Sequence, residues 1–173
     1  MPTVKGSREG GHKPGVPAVA LAVLLLCGSH AVLAGAAGDT TVDTSNFDAV
    51  VADEQVWVVK FHSPRCGTCQ EFAPVWRQFA AAEGDRASFG VVDIDTKPGM
   101  DLAKRLNALE DGVPSVRVFK DPHSSTGTLL WADWQIPEAS ALMARLETEL
   151  SGHVAGGRYV KVAGSGEAHA EDL

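Results

Sequence analysis

The chain has 173 residues, 45% of them hydrophobic and 21% charged, which fits one globular domain with extensions and excludes a wholly disordered chain or a polytopic membrane protein. The formal net charge is −7. Lys5, Arg8, Lys13 and Glu9 give residues 1–34 a charge of +2, which leaves −9 on the remainder. An acidic domain without basic clusters argues against nucleic-acid binding and fits ordinary solubility.

Residues 1–34 read as a secretory signal peptide. A basic stretch precedes the apolar run Val16 to Cys27, and small residues around Val32-Leu33-Ala34 or Ala34-Gly35-Ala36 offer a cleavage site. The alternative is an uncleaved signal anchor, since Val16 to Ala37 is almost long enough to span a bilayer, which takes about 20 residues. Either reading places the following domain on the non-cytosolic side, in the endoplasmic reticulum lumen or secreted, because the positive charge precedes the apolar run.

Residues 35–41 form a short flexible lead-in, and Thr44 to Val51 read as a capped first helix with Thr44 or Ser45 at its N-cap. Val56 to His62 is a near-continuous apolar run of β-branched and aromatic residues, the pattern of a strand buried on both faces. A long second helix follows from Cys66 to Ala82, bent at Pro74 and ended by Gly84. Ala87 to Asp95 is the next strand. Asp101 to Ala108 is a short helix with Leu102, Leu106 and Leu109 on its inner face. Val116 to Lys120 and Thr128 to Trp131 are two strands joined by a turn-rich loop. Pro137-Glu138 opens a last helix that buries Ala141, Leu142, Leu146 and Leu150. Residues 151–173 are rich in Gly, Ala and charge and read as a flexible tail, within which Arg158 to Val162 could form a short strand. The terminus His169-Ala170-Glu171-Asp172-Leu173 faintly resembles a lumenal retention signal with its acidic residues reversed.

The chemistry lies where the buried strand meets the second helix. Cys66 stands at the helix start, close to unpaired backbone N–H groups and the positive end of the helix dipole, so it is the expected nucleophile. Cys69 is about one turn further on, within reach of Cys66, and is the expected resolving thiol. The pair can alternate between dithiol and disulfide. The third cysteine, Cys27, lies in the N-terminal apolar segment, so its removal would leave a single redox pair. A zinc site, which takes four ligands, is not supported: there is no second Cys pair and only His62 nearby. No flavin, nucleotide or metal site is visible, and no cofactor is expected.

The run Phe61-His62-Ser63-Pro64-Arg65-Cys66-Gly67-Thr68-Cys69-Gln70-Glu71-Phe72-Ala73-Pro74 resembles the active-site segment F-Y-A-P-W-C-G-H-C-K-x-L-A-P of the protein disulfide isomerase branch of the thioredoxin superfamily. Gly112-Val113-Pro114-Ser115 resembles the family's segment with a cis-proline. The likeness covers residues 41–150. It implies an α/β thioredoxin fold, a central mixed β-sheet flanked by helices, with the C-G-T-C site at the N-terminus of the second helix. It also implies that Pro114 is cis and faces the cysteines, and that the Val113 backbone pairs with an extended substrate.

The departures from that pattern bear on mechanism. Thr68 stands where the family often has a histidine that stabilises the nucleophilic thiolate, which points to a couple on the reducing side of protein disulfide isomerase, at about −180 mV. Arg65 replaces the usual Trp and could return some of that stabilisation. Lys60 replaces a buried carboxylate that serves the second cysteine as proton acceptor. Gln135 falls where a mobile arginine is common. The expectation is a monomeric thiol–disulfide oxidoreductase of the secretory pathway, acting on cysteine-containing protein substrates and recycled by an external thiol or disulfide partner. The alternatives are a weakly catalytic thioredoxin-fold adaptor and a membrane-anchored, non-cytosolic reductase.

Overall fold

A computed structural model describes residues 39–124 and 126–162. The signal-peptide, anchor and retention-signal expectations, and Cys27, lie outside the described residues. In chain order the elements are β1 (Thr40–Thr41), α1 (Phe47–Ala52), β2 (Trp57–His62), α2 (Gly67–Glu83), β3 (Ser88–Asp93), α3 (Lys97–Arg105), β4 (Ser115–Phe119), β5 (Thr128–Ala132), α4 (Ala139–Glu149), β6 (Val154–Ala155) and β7 (Arg158–Tyr159). The first five strands form one sheet in the order β1-β3-β2-β4-β5. β1, β3 and β2 run parallel; β4 is antiparallel to β2, and β5 to β4. This is the thioredoxin fold.

Strand β2 is central because its side chains, Lys60 and His62 apart, are apolar on both faces. Val58 packs with Phe72, Trp76, Phe79, Leu142 and Leu146 on the side of α2 and α4. Val59 and Phe61 pack with Phe47, Leu102, Leu106 and Phe119 on the side of α1 and α3. Alternation along one strand therefore divides the interior into two cores. The core on the α2 side is an aromatic cluster: Phe72 stacks on Trp131 at 4.6 Å between ring centres, and Trp76, Phe79 and Phe89 meet edge to face.

Helix α2 continues across Pro74, which sits in its interior. Helix α3 starts four residues earlier than the sequence suggests, because the Thr96 hydroxyl caps it by accepting the Gly99 N–H at 3.2 Å. The helix ends at Arg105 and the chain turns at Asn107 (φ 53°), so Leu102, Ala103 and Leu106 are buried, whereas Leu109, beyond the helix, is exposed. Helix α4 has Glu138 as its N-cap, so Pro137 precedes the helix, and Ala139 takes the buried position expected of Ala141, which faces solvent. The N-cap of α1 is Asn46 rather than Thr44 or Ser45; the Asn46 side chain accepts the Asp43 N–H and donates to the Thr41 carbonyl.

Two segments read from sequence as loose are built into the fold. Thr40 and Thr41 form an edge strand on β3. Residues 151–162, expected to belong to a flexible tail, fold as the β6–β7 hairpin and fasten to the start of β2. Tyr159 is 1% exposed, its N–H bonds the Arg86 carbonyl, and its carbonyl accepts the Val56 N–H. The Arg86 guanidinium lies 4.2 Å from the centre of the Tyr159 ring. Lys161 donates its backbone N–H to Glu54 and its ammonium to the Val50 and Val51 carbonyls, which satisfies the last turn of α1. Residues 163–173 lie outside the described residues.

Candidate active site

The site forms where β2 ends and α2 begins. Ser63 orients the connecting turn: its hydroxyl donates to Asp95 at 2.9 Å and accepts the Arg65 N–H at 3.2 Å, while its carbonyl accepts the Cys66 N–H. Cys66 is the N-cap of α2 with an extended backbone, and its sulfur accepts the Cys69 N–H at 3.1 Å. The sulfur thereby takes the place of a capping oxygen and satisfies one of the helix's unpaired donors. Cys66 is partly exposed, and its thiol donates to the Val113 carbonyl at 3.7 Å. The Val113–Pro114 bond is cis, and it presents that carbonyl to Cys66 from the start of β4. The two cysteines are not joined by a disulfide in this structure.

Cys69 faces the core and is 5% exposed. Burial pushes its thiol up to about 11, with the hydrogen bond to Cys66 adding to the rise and the Lys60 charge opposing it. The two sulfurs are therefore different chemical groups, one accessible at a helix N-terminus and one held protonated inside.

Arg65 makes a bidentate ion pair with Asp95, Nε to Oδ2 at 2.8 Å and Nη2 to Oδ1 at 2.9 Å. Its hydrogen bonds to this carboxylate raise the Arg65 guanidinium and hold Asp95 below the usual carboxylate range. The compensating charge expected of Arg65 near Cys66 is thus balanced by an acid that lies 30 positions away in sequence. Thr68 stands on the rim of a shallow groove with Gly112, Pro114, Asp133 and Trp134. Trp134 is 80% exposed there. Gln135 is exposed, and its backbone N–H bonds the Asp133 carboxylate.

Lys60 is 7% exposed and lies on the face of β2 that packs against α2. Its register partners on β3 and β4 are Val91 and Val116, so the strands on either side offer it no polar side chain. Its ammonium is 4.9 Å from the centre of the Trp76 ring. Burial lowers its basicity, while the charges of Asp39 and Cys69 raise it and that of Arg77 lowers it further. Asp39 accepts the Trp76 Nε1–H with both carboxylate oxygens at 2.9 Å. Sequence reasoning missed Asp39, for it lies in a stretch with no motif. His62, at the end of β2, is also made less basic, chiefly by burial and then by Lys60. Among the described residues no group of three His, Cys, Asp or Glu side chains is arranged to hold a metal ion, and no helix is long and apolar enough to cross a membrane.

The thioredoxin family model matches residues 39–128. Among curated proteins, the chain is 30% identical over 80 residues to DnaJ homolog subfamily C member 10 of Xenopus laevis, a match covering 46% of this chain and 10% of that protein. It is 29% identical over 85 residues to protein disulfide-isomerase like 2-2 of Arabidopsis thaliana, covering 49% of this chain and 18% of that one. To human protein disulfide-isomerase A6 it is 32% identical over 76 residues, covering 43% and 16%. The chain therefore spans less than a fifth of the length of these relatives. Among solved structures, the J-Trx1 fragment of ERdj5 is similar with a TM-score of 0.52 at 24% identity, covering 64% of this chain and 50% of that one. The Trx4 domain of ERdj5 gives 0.51 at 23%, covering 66% and 96%. At these identities the likeness to the solved structures shows the fold.

Proposed function

The chain belongs to the thioredoxin family, and from that premise we propose that it is a protein disulfide isomerase-like enzyme that exchanges disulfides with protein substrates in the secretory pathway, in the endoplasmic reticulum lumen. At the coarser level it is a thiol–disulfide oxidoreductase of this family with isomerase-like relatives. The observation that carries the finer reading is the asymmetry of the pair: a partly exposed sulfur at a helix N-cap that accepts the Cys69 backbone N–H and lies beside the Val113 carbonyl, and a second sulfur, that of Cys69, which is buried.

Cys66 attacks one sulfur of a substrate disulfide. A Cys66–substrate bond forms, the substrate S–S bond breaks, and the departing thiolate takes a proton from solvent. Cys69 then attacks Cys66, which releases the second substrate thiol and leaves Cys66–Cys69 oxidised with the substrate reduced. Run in reverse, the oxidised pair donates its disulfide to a substrate dithiol. Isomerisation uses only attack and release by Cys66. The Val113 carbonyl, 3.7 Å from the Cys66 sulfur, serves as a backbone acceptor for an extended substrate segment. The names of the curated relatives, two of them protein disulfide-isomerases, support the isomerase-like reading.

The test is the Cys66–Cys69 reduction potential by glutathione equilibration, together with turnover of scrambled ribonuclease and Cys66→Ser as control. A potential of about −180 to −210 mV with Cys66-dependent turnover is the expected result. A potential near about −270 mV with reductive turnover only would make the enzyme a reductase. Absence of Cys66-dependent turnover would leave a thioredoxin-fold adaptor.

A further inference from the structure

Strand β5 ends at Ala132, which pairs with Ser115 at the start of β4. That register sets the turn after β5, Asp133 and Trp134, beside the Val113–Pro114 segment that faces Cys66. The two tryptophans of this stretch differ. Trp131 is buried and stacks on Phe72, whereas Trp134 is 80% exposed and, among the described residues, its ring meets neither another aromatic ring nor a cation. A lone exposed indole is ordinary on a protein surface, but this one walls a groove of about 200 Å³ shared with Thr68, Val113 and Pro114. Thr68 stands between the two cysteines in sequence, and the Val113 carbonyl is 3.7 Å from the Cys66 sulfur. The groove is smaller than the ~300–1,000 Å³ of small-molecule pockets and suits one side chain of an extended segment. Its charge is one-sided. Asp111 also lines it, but Arg117 Nε holds that carboxylate at 2.8 Å. Asp133 has no ion pair among the described residues. One of its oxygens accepts the Gln135 N–H at 3.0 Å, which fixes the turn and leaves the other oxygen open. Among the described residues no Lys, Arg or His lines the groove.

Resting on the proposed exchange of disulfides, we infer that Asp133 and Trp134 form a subsite for a cationic side chain, so that the enzyme favours protein substrates with an arginine or lysine within two residues of the reacting cysteine. An indole face and an open carboxylate on one wall both receive a cation. An aliphatic side chain would use only the indole, and an acidic one would be repelled. Arginine suits the pair better than lysine, because its planar guanidinium lies flat on the indole while its N–H groups face the carboxylate. An extended segment that pairs with the Val113 backbone advances about 3.3 Å per residue, so the side chain entering the groove is one or two positions from the sulfur that Cys66 attacks. The charge of −9 outside residues 1–34 draws basic substrates from a distance; Asp133 and Trp134 select among them at contact. They are specificity determinants, touching the substrate beside the exchanging sulfurs.

The experiment mixes the reduced full chain with short peptides whose one cysteine is a mixed disulfide with thionitrobenzoate. The peptides differ only in carrying Arg, Ala or Glu at the positions flanking that cysteine. Cys66 attacks the peptide sulfur: the Cys66–peptide bond forms and the bond to thionitrobenzoate breaks. The coloured thiolate leaves with the bonding pair and the Cys66 proton goes to solvent, so absorbance follows capture. The Arg peptide is expected to be captured about five- to tenfold faster than the Ala peptide at low ionic strength, and the Glu peptide more slowly than either. Asp133→Lys is expected to invert the order, Glu above Arg. A loss of folding or of Cys66 reactivity would not invert it, and long-range attraction alone would keep the order, because the domain stays acidic. Trp134→Ala is expected to cut the Arg-to-Ala ratio to about twofold, and Trp134→Phe to restore part of it. Equal capture of the three peptides by the parent, or an unchanged order in Asp133→Lys, would overturn the inference. The parental ratio in Trp134→Ala would overturn the part assigned to the indole. Capture of none of the peptides, or capture that survives Cys66→Ser, would instead overturn the proposed function.

Discussion

Arg65 and Asp95 face each other in a two-point ion pair across the mouth of the active site, and Ser63 ties the same carboxylate to the turn that delivers Cys66. The only cation adjacent in sequence to the reactive cysteine is therefore spent on a neighbouring acid. Removing the acid should free it. Asp95→Ala is expected to raise the rate at which Cys66 reacts with iodoacetamide about two- to threefold at low ionic strength. The gain should fade in about 1 M salt, where screening acts over about 3 Å. A rate that does not change, or a gain indifferent to salt, would show that the pair does not restrain the guanidinium.

The buried thiol makes a prediction about alkaline pH. Cys69 is held up to about 11 against an ordinary value of 9.0, chiefly by burial. The folded protein keeps this proton over a range in which the unfolded chain has lost it. The resulting stabilisation is fully present below 9.0 and disappears as pH rises from 9.0 to about 11. Denaturant midpoints of the reduced protein should fall across that window, and the fall should flatten in Cys69→Ala. An equal decline in both proteins would place its origin elsewhere.

Helix α3 meets the end of β3 at Gly99 with no space to spare. A Cβ there would run into the Asp93 carbonyl, which is backbone and cannot swing aside, whereas at Gly67 nothing lies within 4 Å. Gly99→Ala is expected to destabilise the fold by about 2–4 kcal/mol, since backbone must move to admit it. Gly67→Ala, in the first turn of α2, is expected to be neutral or to add a few tenths of a kcal/mol, about the order of helix propensity. Urea unfolding of the two variants side by side checks the contrast, and a mild Gly99→Ala would mean that α3 shifts freely.

Tyr159 separates two kinds of burial in one side chain. Its ring is enclosed and stacked by Arg86, but its hydroxyl is buried without a hydrogen-bond partner among the described residues. Tyr159→Ala should cost about 3 kcal/mol through the cavity it leaves. Tyr159→Phe should be neutral or stabilising by up to about 1 kcal/mol, because it removes an unsatisfied polar group and keeps the shape. Thermal unfolding of both variants reads the difference; a large loss in Tyr159→Phe would reveal a partner for the hydroxyl.

The parts of the site carried by local spacing were legible in the sequence. Cys66 and Cys69 are one turn apart, and Val56 to Phe61 shows its double burial in composition alone. What was not legible came from chain segments that meet only in the fold. Asp39 and Trp76 are 37 positions apart, Arg65 and Asp95 are 30 apart, and no pattern marks either acid as a partner. Leu109 reads as inward only if α3 runs on to it, whereas the helix ends at Arg105 and the left-handed turn at Asn107 breaks its phase; Ala141 lies within α4 but about 100° round from the buried Leu142, on the solvent face. Tyr159 was hidden for another reason. A single aromatic among Gly, Ala and charged residues has the composition of a tail, yet one large side chain with three backbone hydrogen bonds to the body of the fold fastens the segment.

The hairpin that carries Tyr159 also gives the molecule a handle at a known pole. It is moored at Glu54, Gln55 and Val56, where β2 begins, while Cys66 follows the end of the same strand. Six strand residues at about 3.3 Å each put roughly 20 Å between the two ends. A surface linker or a reporter joined just beyond Val162 would leave from the far side of the sheet. Immobilised in that way, the protein would turn its reactive sulfur outward, so substrate capture could be followed on a support without the attachment obstructing the thiol.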